Sequence, residues 1–190
     1  MDFLNRWSIK ARLALGYALL VLAVLMVSVI AIRALGRSYA SFENQVRVLD
    51  RVQELGNSVM DAANARAVAA RNLVISATPA DVESEKAKIV KSHAQMGERL
   101  QELKAVLAAM PGDVQDLRGA QEEVVRVEAA YGPVALEITR LGSSGEREAA
   151  IAKINSECRP LLAQLLKSLD AFLVESKRIG QANVEASASA

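Results

Sequence analysis

The sequence predicts an all-α protein, an N-terminal transmembrane helix followed by an up-down-up-down antiparallel four-helix bundle. Three observations predict it. Residues 13–32 contain no charged side chain. Beyond them, apolar residues recur at alternating steps of three and four, the spacing of helices packed like coiled coils. Finally, apolar residues make up 52% of the chain and aromatics only 4%, so the filling is Ala, Leu and Val, which favours helices over sheets.

The uncharged run lies between Arg12 and Arg33. An α-helix of about 20 residues covers a hydrocarbon core of roughly 30 Å, and Trp7 and Tyr17 stand near its start as interfacial aromatics do. A cleaved signal peptide has a shorter apolar core of about 7–15 residues and a small-x-small cleavage site. The run is therefore read as an uncleaved anchor. Arg6, Lys10 and Arg12 precede it and Arg33, Arg37 and Arg47 follow it, a near-balance that tilts only weakly toward a cytoplasmic tail. The expected organisation is a tail over 1–12, a span over 13–32 and a helical domain over 33–190.

Four seams define that domain. The first runs through Val48, Val52, Leu55, Val59, Ala62, Arg66, Ala69 and Leu73. Thr78-Pro79-Ala80-Asp81 then supplies an N-cap, a proline at the first helical position and an acid at N3. The second seam holds Val82, Ile89, His93, Met96, Leu100, Leu103, Leu107 and Met110, with Pro111-Gly112 to end it and Asp113 to cap the next helix. The third holds Leu117, Ala120, Val124, Val127, Tyr131, Val134, Ile138 and Leu141, and stops at Gly142-Ser143-Ser144-Gly145. The fourth holds Ile154, Cys158, Leu161, Leu165, Leu169, Phe172 and Ile179. Short turns make neighbouring helices antiparallel. The first helix (about 34–77) and the fourth (about 145–188) each run roughly 44 residues, ~66 Å. Both overhang the shorter middle pair, so a second span is expected just past Ala190.

Several function classes are excluded. Acidic and basic residues interleave to a net charge of +1, with no basic stripe for nucleic acid. The single cysteine and single histidine make no metal-ligand spacing and no internal disulfide. No Gly-rich phosphate loop or nucleophile–base motif is present, so neither an enzyme nor a cofactor is expected.

The opening "RWSIKARLALGYALLVLAVL" resembles that of methyl-accepting chemotaxis proteins. The approach "IGQANVEASASA" resembles the lead into the second span of chemoreceptors with a four-helix-bundle sensor. The resemblance implies an inner-membrane location with a periplasmic sensor domain, and a homodimer. It also implies signalling to a chemotaxis kinase and coupling protein through a cytoplasmic region not contained in these residues. Apolar residues beside the first seam, such as Val46, Leu49 and Met60, agree with dimerisation.

Polar residues in a seam need a reason, because burying them unpaired is costly. Arg66, His93 and Tyr131 occupy seam positions in three helices, each about 12–15 residues from the turn end, and Arg159 falls at a similar level on the fourth. Such a layer could hold an anion through charge-assisted bonds from Arg66 and Arg159, with Tyr131 and His93 completing the shell. The bland alternative is that Arg66 snorkels and Tyr131 fills the core. Pro133 and Pro160 fall inside helices and lose bonds to the carbonyls of Ala129 and Ser156, which would kink the bundle near this layer. Cys158 reads as an inert buried thiol. In aspartate-sensing chemoreceptors, arginines five and then four residues apart grip the ligand. Arg66 and Arg71 match the first spacing, and Ile75 stands at the third position. The expected ligand is a small carboxylate, an organic acid or an amino acid. A sensor wired to a histidine kinase or cyclase, and a tethered protein-binding bundle, stay open as alternatives.

Overall fold

The computed structural model describes residues 9–110 and 113–188. The described residues are all-helical. α1 spans Ile9–Ile75, α2 Pro79–Ala109, α3 Gln115–Ser143 and α4 Arg147–Lys153. A π segment, Ile154–Cys158, leads directly into α5, Arg159–Ala188. The chain divides into two compact units, Met1–Gln45 and Val46–Ala190.

In the first unit the described large apolar side chains, Leu19 to Ile30 among them, are exposed. Among the described residues no helix is long and apolar enough to cross a membrane. This overturns the expected single span over 13–32, and with it the inner-membrane location with a periplasmic domain. The uncharged stretch over 13–32 lies within α1. α1 continues from it without a break to Ile75. The tail expected over 1–12 lies largely outside the described residues.

The second unit carries one hydrophobic core drawn from all of its helices. α1 contributes Val52, Leu55, Val59, Ala62, Ala69 and Leu73 from the expected seam, with Ala63, Ala67, Ala70 and Val74 widening it. Leu49, which flanks that seam, is buried as well. Ile89, Met96, Leu100, Leu103 and Leu107 of α2 meet Leu117, Val124, Val127 and Ile138 of α3, while Leu165, Leu169 and Phe172 of α5 close the far side. The close approach of α1 to α5 depends on Gly56, where a Cβ would lie 2.9 Å from Leu173 Cδ2 and 3.0 Å from Phe172 Cε1.

Caps fix the ends as their chemistry requires. Thr78 is the N-cap of α2, with its hydroxyl accepting from Asp81 N–H at 3.2 Å and Pro79 opening the helix. α3 starts one residue later than expected. Its N-cap is Val114, and Asp113 instead accepts from Gln115 N–H at 3.3 Å. Pro111-Gly112, expected to end the second helix, lies outside the described residues. α3 ends in a Schellman turn, with Glu146 N–H donating to Leu141 C=O at 2.9 Å and Gly145 at φ 83°. Pro160 does not simply kink the last helix. The turn before it widens into the π segment, where Arg159 N–H donates to Ile154 C=O, five residues back.

Candidate functional site

The seam polar residues of α1, α2 and α3 come together. Arg66 is 0% exposed. Its Nη1 donates to His93 Nδ1 at 2.8 Å and to Glu128 Oε1 at 2.7 Å, and its Nη2 donates to Glu128 Oε2 at 2.6 Å and toward Met96 Sδ at 3.5 Å. The guanidinium carbon lies 4.4 Å from the centroid of the Tyr131 ring, within cation–π range. Arg66 Nε is buried with no hydrogen-bond partner. The fork-on-fork pairing neutralises a charge that could not otherwise stay in an apolar seam.

Because an arginine can only donate, His93 accepts at Nδ1 and a neutral ring then carries its proton on Nε2. The His93 side chain is 40% exposed and that of Glu128 12%, so the layer reaches solvent on the α2–α3 side. Gly132 makes room for it. A Cβ there would come 3.1 Å from both Glu128 Oε1 and His93 Cε1. Tyr131 is fully buried, and its hydroxyl accepts from Cys158 Sγ at 3.9 Å. Burial pushes the Tyr131 hydroxyl well above its ordinary value and the Cys158 thiol upward as well, so both stay protonated and Cys158 is a poor nucleophile.

Glu128 is the member sequence reasoning missed. It follows Val127 and precedes Tyr131 by three, on the edge of the third seam. The signal for it was Arg66 itself, since a buried cation demands a carboxylate at its own level.

Arg159 and Arg71 do not join this layer. Both are exposed, and they line a separate depression of about 430 Å³ with Val74, Ile75, Ile151, Ile154 and Asn155. Thus α1, α4, the π segment and α5 all contribute to its walls. Neither guanidinium makes a hydrogen bond or ion pair to a described residue. The five expected ligand-binding residues therefore fall into two groups, Arg66, His93 and Tyr131 inside and Arg71 and Arg159 outside. Among the described residues no group of His, Cys, Asp or Glu could hold a metal ion. Comparison with protein-family models, with curated proteins and with solved structures finds no match for this chain.

Proposed function

We propose that this chain is the ligand-binding sensor part of a chemotaxis-type receptor, detecting a small organic acid or amino acid and passing the event on as a helix displacement. In this reading the helices are an antiparallel up-down-up-down bundle. The Arg51–Glu102 and Arg66–His93 pairs of α1 with α2 support that order. So do the contacts of Gly56 with Phe172 and of Gly180 with Leu49, between α1 and α5.

The observation that carries the reading is the buried ion pair of Arg66 with Glu128, with His93 bonded at its solvent edge. A buried ion pair is weak evidence for stability and better suited to fixing register between helices. Two registers separated by such a pair make a discrete two-state element, which a ligand can bias by binding one state better. The π segment supplies a deformable turn in the last helix, at the level of Tyr131 through Cys158.

Isothermal calorimetry of the full chain against a panel of organic acids and amino acids tests this. Saturable binding of one class is expected. The exposed apolar side chains of residues 19–30 favour a second reading, a bundle that docks a protein partner. Silence across the whole panel, together with a tight protein partner, would select that reading instead.

A further inference from the structure

Resting on the sensor reading, we infer that the ligand site is the depression between Arg71 and Arg159, and that it takes an aliphatic organic acid rather than an amino acid. Two guanidiniums from different helices line one concavity, yet no carboxylate among the described residues pairs with them. Several other arginines of the second unit are spoken for. Arg66 is held by Glu128, Arg140 by Glu137 and Glu146, and Arg126 by Glu123. Glu157, close in sequence to Arg159, is tied to Lys153 at 2.9 Å. Arginine presents a planar fork matched to carboxylate, so an anion of that geometry completes the site.

The rest of the wall sets the class. Val74, Ile75, Ile151 and Ile154 are branched aliphatics, and Asn155 is the single neutral polar side chain. An alkyl body packs against the former. An α-ammonium would find no acid there, only two cations, so an amino acid is rejected by an unpaired charge brought next to like charges. The volume suits a small organic anion. Position supplies the signal. A carboxylate bridging Arg71 of α1 to Arg159 of α5 ties the first helix to the last across Ile154 and Asn155, both in the π segment. The wide turn is then the part that yields.

Matched five-carbon probes test this by calorimetry on the full chain, with pentanoate against norvaline and glutarate against glutamate. Each acid is expected to bind at least about tenfold more tightly than its amino acid. Arg71→Gln and Arg159→Gln, both at exposed positions that leave the core untouched, should each weaken the acid about tenfold. Equal affinity for acid and amino acid, or unchanged binding in both variants, overturns the site while the sensor reading stands. If no acid binds but another small molecule does, the inference falls in the same way. Absence of binding by any small molecule brings down the sensor reading itself.

Discussion

Replacing Glu128 by Ala should be the most damaging single change in the second unit. It leaves Arg66, at 0% exposure, with only a histidine nitrogen, a thioether and an aromatic face. Two charge-assisted bonds, at 2.6 and 2.7 Å, disappear. At about 1.5–3 kcal/mol each they sum to the range found when one partner of a buried pair is removed, about 3–5 kcal/mol. For a domain of this size that corresponds to a fall in Tm of roughly 10–15 °C. Arg66→Met should cost less, because Glu128 keeps 12% exposure and so some contact with water. The double replacement Arg66→Met with Glu128→Leu should return to within about 2 kcal/mol of the parent, since a packed apolar pair replaces the ionic one without stranding a charge. Urea unfolding followed by circular dichroism gives all four corners of the cycle. A loss below about 1 kcal/mol for Glu128→Ala, or a double variant no better than that single one, would refute the claim that the pair is buried and mutually dependent.

Three further outcomes are expected. Burial holds the Tyr131 proton in the folded state to higher pH than in the unfolded chain. Unfolding is thus favoured by proton loss as pH rises above about 10, and urea midpoints should drop there more steeply in the parent than in Tyr131→Phe. Gly145 sits at φ 83°, so Gly145→Ala should cost about 1 kcal/mol through backbone strain alone, measured by thermal unfolding. Cys158, buried and with its thiol pushed up, should react with a disulfide reagent at least about a hundredfold more slowly folded than in urea.

Helix positions and seams were legible because periodicity is a local property. Val52, Leu55, Val59 and Leu73, or Leu165, Leu169 and Phe172, could bury themselves only one way. The Thr78 cap was legible for the same reason, since its partner Asp81 lies three residues on. The convergence of Arg66, His93 and Tyr131 followed from counting residues back from the turns. Glu128 escaped that counting because it sits off the seam, and only the demand of a buried cation could have pointed to it. Arg159 was misjudged by rotation rather than height. It follows Cys158, whose side chain faces the core, and so turns outward to the solvent side near Arg71. The run over 13–32 was read as a span from its length without a charge, whereas among the described residues no helix is long and apolar enough to cross a membrane.

The widened turn before Pro160 has a consequence for how the last helix could have arisen. Its buried positions run Ala150, Ile154, Cys158 and Leu162, three successive steps of four, before the three-and-four alternation resumes at Leu165 and Leu169. Three such steps overrun a regular α-helix, whose repeat of 3.6 would carry the stripe around the axis. The five residues of the π segment absorb the surplus, behaving as a single inserted residue that leaves both flanking stripes aligned. Removing one residue from the outward-facing trio Asn155, Ser156 and Glu157 should therefore heal the helix into ordinary α geometry while keeping both halves of its core. Pro160 would then lie inside a regular helix, so its missing donor and its ring's clash with the carbonyl four residues back set the cost of that deletion.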